Sequence, residues 1–380
     1  MDFFNPHSNE WLLNKFEIYK NLRNSPTAYW SEKYKLFVIT RYNDVLYALQ
    51  NPEIFSSASG NLIVESKHRF GRTLGASDNP THDIYKNIVK NAYSKDNIQR
   101  IVNVFSDRAK ELLIQNNNLN ISKIIEDLSA TVTAELINPP YDKEKIKDYV
   151  MDIQHFSSRT VLNNTDNSTY DKFFNLLSHM ADTLNVEATG PGIYKEYIND
   201  SKKLKVMSLF TGPAISGTSS LTSALVMLTL DLYREGQLDA LLANKNLIPQ
   251  AVNESLRFNA STGRFSRTVT KNIKMHGIEL KEGDRVALCL ESANRDPGMF
   301  LDPDKFNLTR NTNGHFAFGY GLHACIALAI SKSIMIAWLE ILLDHYGKYK
   351  VVTSNEDLKY IITASGNNDM ICNLHLTPDK

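Results

Sequence analysis

From Ile326 onward, apolar residues recur at Ile330, Ile334, Trp338 and Ile341–Leu342, the spacing of one face of an α-helix. Gly347 follows where the periodicity stops, which predicts a helix C-cap there. The stripe reads as core, not as a second cofactor site. A long central helix is predicted over 203–235, with further helices over 97–115, 121–137 and 144–156. Strand-like stretches occur at 35–40, 284–291 and 349–353. The expected fold class is mainly α with a small β region.

Composition adds mainly exclusions. The chain has 380 residues, and no Ser/Gly/Pro-rich linker, low-complexity tract or repeat divides it, so one domain over 1–380 is expected. Lys plus Arg number 42 and Asp plus Glu also 42, which leaves no net field to favour nucleic acid or a membrane surface as partner. The apolar run from Leu221 to Leu232 is interrupted by Thr222, Ser223, Thr229 and Asp231 and is too short to span a bilayer. The start, Met1-Asp2-Phe3-Phe4-Asn5, has neither a basic nor an apolar leader region. Cys289, Cys325 and Cys372 make no disulfide framework. These features predict a cytoplasmic protein.

Cys325 has the most informative surroundings. In Phe318-Gly319-Tyr320-Gly321-Leu322-His323-Ala324-Cys325-Ile326-Ala327 it follows a glycine-rich turn and directly precedes the predicted C-terminal helix. Glycines allow the backbone to curl beneath a flat ligand, and a sulfur at a helix N-terminus feels the positive end of the dipole. A buried cysteine is ordinarily just a small apolar residue. A second constellation lies upstream, however: Glu254-Ser255-Leu256-Arg257 sits in a segment where Pro249 suits a first helical turn and acid and base share one face.

Together these segments resemble the cytochromes P450. The loop matches their Phe-Gly-x-Gly-x-His-x-Cys-x-Gly pattern except that Ala327 stands for the last glycine. The resemblance implies the P450 fold, haem b (iron protoporphyrin IX) as cofactor, Cys325 as axial iron ligand, and Phe318, Gly319, His323 and Ala327 as further residues of the haem-binding loop. It also implies that Glu254 and Arg257 lock to a second arginine, assigned to Arg310, and hold the loop in place. Asp78-Asn79-Pro80-Thr81-His82 resembles the start of the family's propionate-binding helix, with Lys86 standing for an arginine; the charge is kept and the bidentate geometry lost. Arg267 matches another propionate-binding arginine.

The central helix departs from the pattern. Counting back from Glu254, the family's glycine and acid–alcohol pair fall on Ile215-Ser216-Gly217-Thr218-Ser219. Thr218 replaces the acid and Ser219 the threonine; in a register shifted by one, Ser220 is the alcohol. No Asp or Glu lies between Lys205 and Leu230. Thr218, Ser219 and Ser220 are therefore the expected proton-relay residues, working through hydroxyls and water or with a polar group of the substrate.

Substrate-facing segments are expected to be polar. They contribute Arg69 and Arg72 beside Lys67 and His68, Gly217 of the central helix, Arg264 after Thr262-Gly263, and Ser365 within Thr363–Asn368. Arg264 is read as the partner of an anion, favouring a compact substrate bearing a carboxylate. The implied activity is a monooxygenase using O2 and electrons from a separate ferredoxin or flavodoxin with its reductase, docking where Lys86, Lys90 and Lys332 contribute charge. The missing acid keeps two alternatives open: an atypical haem-thiolate enzyme (peroxide- or NO-using, coupling or dehydrating), and a non-catalytic haem-binding sensor.

Overall fold

The computed structural model describes residues 3–65, 70–71, 73–115, 119–137, 144, 147–148, 151, 216–363 and 366–379. Helices dominate. Helix α1 (Asn9–Asn24) starts at Ser8, whose hydroxyl accepts the Trp11 N–H at 3.2 Å, satisfying one of the orphan donors of the first turn. It is followed by α2 (Tyr42–Gln50), α3 (Thr81–Val89), α4 (Lys95–Gln115) and α5 (Ile121–Ile137). Beyond residue 216 come the central helix α6 (Thr218–Arg234), then α7 (Leu238–Ala243), α8 (Ile248–Phe258), the short α9 (Leu290–Ala293) and α10 (Leu328–Tyr346).

The main hydrophobic core gathers α4, α5, α6, α8 and α10, with α6 packed against the other three of these that carry the site, α5, α8 and α10. Apolar spacing explains why: Ile330, Ile334, Trp338 and Leu342 of α10 are all buried, a continuous stripe of one helix face. Gly347 at φ +62° caps α10. Trp338 Nε1 donates to the Thr229 hydroxyl of α6 at 3.0 Å, so the one polar atom of this stripe is satisfied.

The β region sits to one side. One five-stranded sheet has the order β1 (Tyr29–Ser31), β2 (Leu36–Ile39), β8 (Arg285–Cys289), β5 (Arg264–Val269), β3 (Phe55–Ser56). Among the described residues only β2 and β8 pair in parallel, with Val38 opposite Ala287. Smaller pieces are the hairpin β6 (Ile273–Met275) with β7 (Ile278–Leu280), the hairpin β10 (Tyr360–Ile362) with β11 (Asp369–Ile371), and β9 (Tyr349–Val351) with β12 (His375–Pro378) and β4 (Leu119–Asn120).

The mainly-α expectation with a small β region holds. The strand expected over 284–291 ends at Cys289, because the backbone turns there (φ −89°, ψ 85°) into α9. Of the helix expected over 203–235, residues 203–215 lie outside the described residues, as does most of 144–156. Among the described residues no helix is long and apolar enough to cross a membrane.

Candidate haem-thiolate site

The loop before α10 is shaped by its glycines. Gly319 and Gly321 have φ of +66° and +70°, and a Cβ on Gly321 would stand 2.7 Å from the Leu49 carbonyl oxygen, so this turn accepts no other residue without moving α2. The Cys325 N–H donates to the Phe318 carbonyl at 2.8 Å, closing the loop. Cys325 is solvent-accessible yet surrounded by protein on most sides, which places it in a cleft. Burial raises its pKa, opposed by the Ala327 N–H that approaches the sulfur. Ala327 itself has φ −86°, so the position the family pattern fills with glycine needs none here.

Around His323 of the loop gathers a cluster of cationic and imidazole groups. His82 and His323 meet edge to face with centroids 4.7 Å apart, and Lys86 lies one turn beyond His82 on α3. Arg267 of β5 is buried, and its Nη1 donates to the Ser266 carbonyl at 2.8 Å. Burial pulls its pKa down to about 10, opposed by the charge of Asp78. Asp78 accepts from Ser56 Oγ and the Ser57 N–H, and the His323 Nε2 stands 3.7 Å away. Burial would raise the Asp78 carboxyl, but His323 and these donors outweigh it and hold it at about 2.

A buried guanidinium with a carbonyl as its only direct acceptor among the described residues, beside an imidazole whose Nε2 has no hydrogen-bond partner, fits the carboxylate edge of a haem. The donor set therefore suits the cofactor: a cleft sulfur, a buried guanidinium and two imidazoles.

Behind the loop, Glu254 and Arg257 are fully buried and paired in a bidentate manner, both contacts 2.8 Å. Arg310 Nε and the Asn307 N–H also donate to Glu254 Oε1, at 3.0 and 2.9 Å. Arg257 Nη1 donates to the Asn294 and Pro303 carbonyls. Every polar atom of the pair thus has a partner, and the chain from 294 to 310 is clamped onto α8.

Two expectations need correction. Thr218 does not hold a position facing the cleft: it is fully buried and its hydroxyl lies 2.6 Å from that of Thr133 on α5, tying two helices together. Arg264 is not an anion receptor for a substrate. It is 1 % exposed, with Nε 3.3 Å from Glu291 and Nη2 3.2 Å from Asp369, and these carboxylates raise its pKa. Lys15 Nζ joins the same two acids at 3.0 and 2.8 Å, and the Tyr19 hydroxyl donates to Glu291. Gly263 is required beside this network, since a Cβ would come within 2.4 Å of the Glu291 carboxyl carbon.

The remaining relay residues are placed at the start of α6. Ser216 and Gly217 form a π-helical turn and are exposed, the widening that commonly opens a helix at a functional site. Ser219 is buried and its hydroxyl points back to the Ser216 carbonyl at 3.5 Å. Ser220 Oγ lies 3.0 Å from Thr262 Oγ1 and accepts from Asn368 Nδ2 at 2.8 Å. Arg69, Arg72 and Ser365 lie outside the described residues. Thr133, Glu291, Asp369 and Lys15 were not singled out from the sequence; they lie far along the chain from the groups they hold, and no short motif marks them.

The Cytochrome P450 family model matches residues 239–358. The chain is 24 % identical over 383 residues to pulcherriminic acid synthase of Bacillus subtilis (strain 168), covering 94 % of this chain and 93 % of that protein. It is 28 % identical over 335 residues to the methyl-branched lipid omega-hydroxylase of Mycobacterium tuberculosis (strain ATCC 25618 / H37Rv), covering 80 % and 76 %. The fold is similar to that of cytochrome P450 PksS of the Bacillus subtilis 168 bacillaene polyketide synthase, with TM-score 0.83, 20 % identity, and 99 % and 100 % of the two chains covered.

Proposed function

Because the chain belongs to the cytochrome P450 superfamily, we propose that it is a haem-thiolate monooxygenase of a compact polar substrate, supplied with electrons by a separate ferredoxin or flavodoxin. The observation that carries the reading is the presence in one chain of Cys325 in its cleft and of Arg267, a buried guanidinium with no direct carboxylate partner among the described residues. When bound, haem b supplies activation of O2 and transfer of one oxygen atom to a C–H bond.

The residues have distinct tasks. Cys325 would ligate the haem iron and supply electron density to it, with the Ala327 N–H favouring its thiolate. Phe318 and Gly319 shape the turn that would receive the cofactor. Arg267, His82, Lys86 and His323 would hold the propionates. Glu254, Arg257 and Arg310 keep the loop segment in register with α8. Ser219 moves protons from water into the cleft, its hydroxyl oriented by the Ser216 carbonyl, and the open turn at Gly217 leaves room for the substrate and water. Exposed Lys90, with the half-buried Lys86 and Lys332, gives the electron donor a cationic face.

The corrected place of Arg264 removes the reason to require a carboxylate on the substrate. Turnover of C–H substrates by the holoenzyme with a bacterial ferredoxin, its reductase and NADPH tests the reading; uncoupled reduction with no product from a broad panel of polar compounds overturns it. The absence of an acid between Lys205 and Leu230 favours a second reading, peroxide-driven oxidation. It predicts product from H2O2 without any reductase.

A further inference from the structure

Ser220, Thr262 and Asn368 form a hydrogen-bonded trio between the helix that carries Ser219 and the strand that carries Arg267. Counting protons decides what it can recognise. Ser220 Oγ accepts an N–H from Asn368 Nδ2 at 2.8 Å, and one hydroxyl proton serves the 3.0 Å contact between Ser220 and Thr262. Two hydroxyls carry two protons, so whichever residue donates, one hydroxyl proton is left over. Ser220 and Thr262 are both partly exposed. The pair thus presents a surplus donor.

Beside it stands an acceptor. Asn368 Nδ2 faces Ser220, which leaves Oδ1 on the other branch of the amide; it receives no hydrogen bond among the described residues and is not sealed off. The residue is only 5 % exposed. Its backbone is fixed, because its N–H donates to Thr363 Oγ1 at 3.2 Å and its carbonyl accepts the Thr363 N–H at 3.1 Å. The neighbouring Asn367 is fastened as well: its Oδ1 accepts the Ile63 N–H and its carbonyl the Gly263 N–H. A hydroxyl donor and an amide oxygen are therefore held side by side on preorganised backbone, with no formal charge in the trio.

A fixed donor next to a fixed acceptor is the complement of a group that carries an acceptor next to a donor. We propose that this trio recognises a secondary amide or lactam of the substrate, the hydroxyl donating to its C=O and Asn368 Oδ1 accepting its N–H. The proposal rests on the monooxygenase reading and names its substrate class. A carboxylate would meet the Asn368 oxygen with repulsion, and an ester or hydrocarbon would leave that oxygen desolvated and unpaired.

The test uses the reconstituted holoenzyme and three matched probes: 6-isobutylpiperidin-2-one, its N-methyl derivative, and the corresponding δ-lactone. Dissociation constants come from calorimetry and from the spin-state shift of the iron. The N–H lactam is expected to bind about tenfold or more tightly than either analogue. Asn368→Leu and Thr262→Val are expected to bring the three constants together, with melting temperatures checking that each variant is folded. Equal binding of all three probes, binding of none, or an unchanged preference in both folded variants overturns the proposal while the monooxygenase reading stands. A reduced carbon monoxide complex without the thiolate absorption overturns both.

Discussion

Arg264 and Asp369 face each other at 3.2 Å in the interior, one on the first residue of β5 and the other on the first residue of β11, with Lys15 and Glu291 completing a square of alternating charge. This square is structural. It ties α1, α9 and the β10–β11 hairpin to the sheet, and removing one corner strands the opposite charge in a dry place. Arg264→Ala is expected to lower stability by about 3–5 kcal/mol, read as a lower urea midpoint, while substrate affinity of the remaining folded enzyme changes little. A strong, selective loss of binding at unchanged stability would return Arg264 to the substrate.

Glu254→Ala and Arg257→Ala break a second buried pair, with the same order of cost, about 3–5 kcal/mol. Each also releases the 294–310 segment from α8, so little soluble haem-loaded protein is expected. Normal yield and haem content in either variant would contradict the clamp.

Cys325→Ala is expected to abolish the thiolate absorption of the reduced carbon monoxide complex. Cys289→Ala leaves it intact, because Cys289 is buried at the end of β8 and burial pushes its pKa to about 12. Absorption spectra of the two variants check this.

Asp231 of α6 titrates in an unusual range. Burial raises its pKa from the ordinary 3.8 to about 7, against hydrogen bonds from Asn259 and Ser255 that favour the anion. The folded state therefore binds a proton that the unfolded chain gives up near pH 4. Its contribution to stability is full below about pH 4 and is lost as pH rises through about 7. Unfolding curves collected between pH 5 and 8 are expected to show this falling component, and Asp231→Asn flattens it; an unchanged slope in the variant would refute the assignment.

Thr133→Val and Thr218→Val each remove one half of a buried 2.6 Å contact. Each is expected to cost roughly 1–3 kcal/mol, and the double variant less than the sum, since both remove the same contact. Ser219→Ala, by contrast, is expected to leave stability nearly unchanged and to increase peroxide release per electron consumed. Strict additivity of the threonine variants would show that the two hydroxyls are not coupled.

What the sequence reveals here follows its range. The helical body was legible because long amphipathic segments repeat locally, as in the buried face of α10. The grouping of Phe318 to Ala327 and of Glu254 with Arg257 was legible because each group lies within a few residues on one turn or helix. Arg264 was misread because its charge is set by Lys15, Glu291 and Asp369, partners on three separate elements that no spacing rule connects. Thr218 was misread for the same reason: the side that its hydroxyl faces depends on α5. The extended pattern past Cys289 hid the turn into α9, where the backbone bends to present Glu291 to the same network.

The β10–β11 hairpin, residues Tyr360–Ile371, has a further consequence. It supplies Asn368 to the trio, the Asp369 side chain to the charged square, and the Asp369 carbonyl to the Ser223 hydroxyl of α6. These attachments join the amino-terminal helix to the central one through a segment close to the carboxyl end. Loosening this one hairpin is therefore expected to disturb the charged square and its hold on the central helix together.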